Sequence, residues 1–242
     1  MEYLNKFMII IFLFIYVYFL YIFMRINIKN VLWIKKCYLW FNGLCNLSKE
    51  SFMEGVKVIY LGILTLIPIL FGTFKGFKML IKIVPTIGII KSVFLFLLSF
   101  FTIIQILFFV MIVLVEVIMK QDSRKQMQEI KWIKFNRNRP LYTGIIRPLC
   151  YSLWEVVILY NIFFYILNNK LKLNIFLVIL ILSLLYSFSK LIAIKTIPQA
   201  LIYGIWAFCL CLCSTLVLIY SGGILISFLI FLSFNFLVAF KE

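Results

Sequence analysis

The chain has 242 residues, of which 65% are hydrophobic, 19% aromatic and only 13% charged, with a formal net charge of +16 and no histidine. A soluble domain of this size could not hide so much apolar surface. The absence of histidine excludes Ser–His–Asp and Cys–His catalysis outright.

The apolar text divides into runs long enough to cross a bilayer, which needs roughly 20 residues. Residues 7–24 follow Lys6, have no small-residue cleavage site and end at Arg25, which reads as a retained anchor rather than a signal peptide. Residues 30–47 mix Trp33, Tyr38, Trp40 and Phe41 with Lys35 and Lys36, the pattern of an interfacial helix or a short hairpin. Residues 56–74 form the next span. Residues 77–90 carry Lys78, Lys82 and Pro85, and read either as re-entrant or as part of a longer span. Residues 93–118 are a long span with Glu116 near its end, four positions before Lys120 and so placed to pair with it. Further spans follow at 148–167, 173–189, 198–220 and 224–240, with Gly222-Gly223 as a tight turn between the last two.

These runs do not alternate in polarity as barrel strands would. The expected fold is therefore all-α, a polytopic transmembrane helix bundle of six to eight spans. It divides into N-terminal transmembrane helices with an interfacial segment (1–119), a basic polar loop (120–147) and a transmembrane core (148–242). The loop carries Lys120, Arg124, Lys125, Lys131, Lys134, Arg137, Arg139 and Arg147 against Asp122 and Glu129. Such a cluster between apolar runs reads as an inside-positive loop touching anionic lipid, not as a nucleic-acid surface. The stretch Lys75, Lys78, Lys82 and Lys91 is also basic, so the loops alone leave the orientation open. A residue usage rich in Phe, Ile, Leu, Lys and Asn points to an AT-rich genome, and the expected location is a bacterial cell membrane.

Few residues carry chemistry. Cys209, Cys211 and Cys213 alternate within an apolar run, where residues two apart do not share a helix face, and they lack the spaced pairs of a zinc site. Cys37, Cys45 and Cys150 are isolated, and no phosphate loop is present. No metal and no cofactor is expected. Glu155 is the only acid inside the apolar segment 148–169. A carboxylate at that depth is costly and marks a cavity, a partner or a site. Lys190 lies at the end of its span, where lysines snorkel to the interface, and Asn235 lies inside the last span, where amides bond across helices.

Taken together these positions form a pattern. From Leu149 onward, over about two-fifths of the chain, the sequence resembles the CAAX-protease and bacteriocin-processing family of intramembrane endopeptidases, also called the Abi family. That family carries Glu-Glu-x-x-x-Arg on one helix, Phe-x-x-x-His on the next and His-x-x-x-Asn on the last, after a turn that often reads Thr-Gly-Ser. The corresponding text is Glu155-Val156-Val157-Ile158-Leu159-Tyr160, Tyr186-Ser187-Phe188-Ser189-Lys190, Ser221-Gly222-Gly223 and Phe231-Leu232-Ser233-Phe234-Asn235. The first Glu and the terminal Asn are kept. The second Glu is Val156, the Arg is Tyr160, and the two histidines are Lys190 and Phe231.

The resemblance implies a four-helix core like the family's, with Glu155 and Asn235 at catalytic positions and Lys190 replacing a histidine. It also implies a family activity toward prenylated proteins, peptides or bacteriocin precursors. The missing imidazoles remove the groups that titrate near neutral pH, and losing one oxyanion donor alone commonly costs about 10²–10³ in rate. The expectation is a degenerate member, a membrane module that binds a peptide or membrane-protein partner, as in self-immunity to a secreted peptide. An active, atypical glutamate-dependent protease and a transporter subunit are the alternatives. A Glu155–Lys190 ion pair across adjacent helices is expected to fill the old site.

Overall fold

A computed structural model describes residues 2–22, 30–45, 48–68, 84–128, 145–192, 194 and 196–240. Most of the basic loop, the lysines at 75, 78 and 82, Arg25 and Lys195 lie outside the described residues. Among the described residues there are helices and no strand. They are α1 (Glu2–Tyr21), α2 (Leu32–Cys45), α3 (Lys49–Pro68), α4 (Ile89–Ile118), α5 (Ser123–Gln128), α6 (Arg147–Lys170), α7 (Ile175–Leu191), α8 (Ile197–Ser221) and α9 (Ile224–Phe240). Within the described residues each of the seven apolar runs falls on a helix, and the described part of the segment between the first two is a helix rather than a hairpin. The described part of the 77–90 segment, before α4 begins, is not helical.

Four helices are long and apolar enough to cross a membrane: α1, α4, α6 and α8. The apolar helices α7 and α9 are shorter. Two helices change character midway. α4 becomes π-helical over Val110–Ile118, and α6 over Val157–Lys170, directly after Glu155.

Local chemistry sets the ends. The Asn174 side chain accepts the Phe176 N–H at 3.0 Å and so caps α7. Pro148 and Pro198 sit in the first turns of α6 and α8, where a missing N–H costs nothing. Gly222 ends α8 in the left-handed region (φ 65°), and its N–H reaches the Leu218 carbonyl at 3.0 Å. Asp122 opens α5 by accepting the N–H groups of Arg124 and Lys125 at 2.9 and 3.1 Å. Glu116 does not pair with Lys120. It accepts a 2.5 Å hydrogen bond from Ser123, because the helix stops at Ile118 and Lys120 turns away with φ 52°.

Side-chain contacts give the direction of each helix. Thr86, just before α4, donates to the Ser221 carbonyl at the end of α8, through its N–H and its hydroxyl, each at 2.8 Å. At the other end Gln199 in the first turn of α8 donates to the Gln126 carbonyl at 3.0 Å, and Thr196 to its side chain at 3.1 Å. The first turn of α6 meets the first half of α3, where Arg147 Nε lies 3.0 Å from Glu54. α1 runs antiparallel to α3, with Tyr60 donating to the Phe19 carbonyl at 2.5 Å and Tyr16 to that of Leu64. One end of the bundle therefore holds Tyr21, α2, the start of α3, the end of α4, α5, the start of α6, the end of α7 and the start of α8. We call it the basic end. α8 packs on α7, α4 and α9, while α9 also covers the first half of α6.

The centre is filled by Tyr160, Phe163, Leu182, Leu185, Ile230 and Phe231, all essentially without exposure. The periphery is apolar too: Phe7, Phe12, Phe94, Phe101 and Phe108 are exposed on α1 and α4. An apolar outside around an apolar inside is the arrangement of a helix bundle facing lipid. In that solvent, packing and hydrogen bonds rather than water exclusion hold helices together.

Candidate functional site

Arg147, Tyr151 and Glu155 are spaced by four on α6 and so share one face, a polar stripe running inward from the basic end. Glu155 is the deepest of the three and is 2% exposed. Its Oε1 pairs with Lys190 Nζ on α7, and its Oε2 accepts the Tyr186 hydroxyl at 2.9 Å. Tyr186 and Lys190 are four apart, so one face of α7 supplies both partners. The ammonium also lies over the Tyr186 ring, 4.7 Å from its centroid, and 5.9 Å from that of Tyr21 on α1. Rings at such distances attract a cation through their negative faces. The Lys190 side chain keeps 20% exposure, so its charge retains a route to the basic end.

Asn235 joins the site one step removed. Its Nδ2 donates to Ser152 Oγ at 2.9 Å, and Ser152 in turn donates to the Pro148 carbonyl at 2.6 Å. Ser152 is one helical turn from Glu155, so α9 is tied to the same stretch of α6 without touching the carboxylate itself. Thus Glu155 and Lys190 are in direct contact, and Asn235 is next to them through Ser152. Tyr160 and Phe231, which stand where the resembled family has Arg and His, are both 0% exposed. Their rings meet edge to face at 6.3 Å, and Phe231 also meets Tyr186 at 5.2 Å.

A second buried acid was not legible in the sequence. Glu54 on α3 is 4% exposed. It is held by Arg147 at 3.0 Å, by the Tyr151 hydroxyl at 3.2 Å and by Lys57 at 3.9 Å. Arg147 also lies 5.3 Å over the Tyr151 ring. Tyr186, Tyr151, Arg147 and Tyr21 were likewise missed as site residues. The spacing of four in both helices was the signal that could have found the first three.

Chemically, the arrangement is a buried ion pair in which each carboxylate oxygen of Glu155 has one donor. Among the described residues no three of Cys, Asp and Glu come together as a metal centre would require. The six cysteines are free thiols.

Comparison with known families gives one finding. Residues 93–242 match the model of a family described as a family of unknown function, DUF5968. The match covers more than half of the chain, and the chain belongs to that family. No curated protein and no solved structure matches.

Proposed function

We propose that this protein is a catalytically silent relative of the CAAX-protease and bacteriocin-processing family, one that binds a peptide or membrane-protein partner within the bilayer instead of cleaving it. The observation that carries this reading is the state of Glu155: one oxygen is on the Lys190 ammonium and the other on the Tyr186 hydroxyl, with 2% exposure. A general base must reach a water or substrate proton within hydrogen-bond distance, and donors must point at the charge that develops. Here the positions that would surround a substrate carbonyl are filled by the Tyr160 and Phe231 rings. A role in immunity to a secreted peptide, or in regulating its export, fits a site that keeps Glu155 and Asn235 of the resembled motifs without their histidines.

In this reading the bundle crosses the membrane seven times, by α1, α3, α4, α6, α7, α8 and α9. Alternating directions put the segments after α1, α4 and α7 at the basic end. By sequence these segments hold Arg25, Lys29, Lys35, Lys36, the 120–147 cluster and Lys195, against Lys6, Lys75, Lys78, Lys82, Lys91, Lys170 and Lys172 for the opposite end. The excess of Lys and Arg sets that end in the cytoplasm of a bacterial cell.

The test is a cleavage assay on the full chain in lipid nanodiscs. A prenylated C-terminal peptide and an unprenylated transmembrane peptide are each incubated with wild type and with Glu155→Gln. Mass spectrometry should find no product that depends on Glu155. A product made by wild type and lost in Glu155→Gln would reject the silent reading and install a glutamate-dependent protease.

A further inference from the structure

α2 carries two apolar faces, and among the described residues only one of them is covered. Ile34 and Tyr38 are buried against Phe52 of α3, with the Tyr38 and Phe52 rings 5.5 Å apart. Trp33, Cys37, Trp40 and Leu44 follow at spacings of four, three and four and form a separate stripe. All four are exposed, at 59% for Trp33, 64% for Trp40 and 64% for Leu44. Exposed apolar faces of this kind mark an interaction surface.

We infer that this stripe seats α2 in the plane of the cytoplasmic leaflet, against anionic phospholipid headgroups. Three observations commit it to lipid. The first is length: 14 residues rise roughly 21 Å, too short for a hydrocarbon core of about 30 Å. The second is position, since α2 joins the end of α1 to the start of α3 at the basic end of the bundle. The third is charge and residue type. Lys36 lies one turn from both Trp33 and Trp40, Lys35 lies at the polar edge, and α2 contains no acid. Both lysines are exposed, as are Lys49, Arg124 and Lys125 at the same end. Tryptophan is enriched where chains meet the headgroup layer, and each lysine or arginine near an anionic surface adds attraction. The inference does not depend on whether Glu155 cleaves anything.

The experiment uses the full chain with Cys37 as its one remaining cysteine, labelled with a bimane. It is reconstituted into phosphatidylcholine vesicles with and without phosphatidylglycerol. Lipid spin-labelled high on the acyl chain should quench the bimane, acrylamide should not, and quenching should rise with phosphatidylglycerol. Lys35→Glu with Lys36→Glu should erase that rise while the thermal midpoint and elution volume stay unchanged, both sites being exposed. Strong acrylamide quenching would overturn the inference, because the face would then be in water. So would protection from both quenchers with Cys37–Cys37 cross-linking, which would assign the face to a second copy. Equal quenching in the two vesicle types would overturn the assignment to anionic lipid.

Discussion

The Glu155–Lys190 pair predicts an asymmetric double-mutant cycle. Lys190→Met leaves a carboxylate that is 2% exposed and still accepts from the Tyr186 hydroxyl, inside a bundle that cannot rehydrate it. Removing one partner of a buried pair costs about 3–5 kcal/mol, because the other charge stays behind. Glu155→Gln is milder. The amide can still accept from Tyr186, and the Lys190 side chain, already 20% exposed, can turn toward the basic end. We expect about 1–2 kcal/mol for it, the net value of a charge-assisted hydrogen bond at a partly exposed site. The double variant Glu155→Gln/Lys190→Met leaves no charge to strand and should cost less than Lys190→Met alone, since uncharged replacements of a buried pair are often near neutral. The coupling should therefore be favourable and larger than the cost of Glu155→Gln alone, above about 1–2 kcal/mol. The assay is reversible SDS-induced unfolding of the purified protein in mixed micelles, followed by tryptophan fluorescence. Additive single costs, or a Glu155→Gln cost larger than that of Lys190→Met, would refute the argument that desolvation of the carboxylate dominates.

Four further outcomes follow from the same geometry. Tyr186→Phe removes the hydroxyl from Glu155 Oε2 and should lose about 1.5–3 kcal/mol in the same unfolding assay, with no effect if that bond is absent. Arg147→Met strands Glu54 with Tyr151 and a lysine 3.9 Å away, so α3 should become the first helix cut in limited proteolysis; unchanged protection would deny Arg147 that role. Gly223→Ala would place a Cβ 2.6 Å from the Pro85 backbone, forcing the α8–α9 turn off the Thr86 contacts. A drop of roughly 1–3 kcal/mol is expected, and an unchanged midpoint would show that the turn gives way freely. In intact cells an impermeant maleimide should label a cysteine at Lys172 and spare Cys45, with the reverse in inside-out vesicles; labelling of both from one side would break the seven-crossing topology.

The helices were legible because uncharged runs in this chain are long and sharply bounded by basic residues. α2 was legible for the same reason in reverse: its lysines and tryptophans are too mixed for a span. The Glu155–Lys190 contact could be anticipated because Glu155 is alone in its run, and the resemblance set Lys190 on the neighbouring helix. Glu54 was not, for a physical reason. It lies among Lys49, Glu50 and Lys57 at the head of an apolar run, which reads as a solvated interface until α6 is packed against it. Asn235 was read as bonding across helices, and it does, but its partner Ser152 was invisible. A serine in an apolar helix satisfies itself on the carbonyl four residues back, as Ser152 also does. Glu116 shows the opposite failure, since spacing of four predicts a contact only while the helix continues.

Glu54 and Glu155 are the two buried acids among the described residues, and α6 is attached to both. Placing an acid at the centre of a span costs about 2.5–3.5 kcal/mol on insertion scales, and less toward its ends, where Glu54 lies. Each is offset by a cation on a different helix: Arg147 of α6 serves Glu54 of α3, and Lys190 of α7 serves Glu155 of α6. The stripe Arg147–Tyr151–Glu155 is thus a seam. It ties the outer α3 to the core at the basic end and, one turn deeper, ties α6 to α7 beside Tyr21 of α1. A protease of the resembled type needs its glutamate free to handle a proton, whereas a seam needs the glutamate saturated. The two demands conflict at the same oxygens; Lys190 and Tyr186 each hold one of them here, which is the arrangement on which the proposed silent reading rests. Restoring a base would therefore require more than returning histidines at Lys190 and Phe231. On the proposed reading, Lys190→His would release Glu155 but also remove the fixed charge that offsets its burial, so it should lower the midpoint of SDS-induced unfolding without a gain of cleavage.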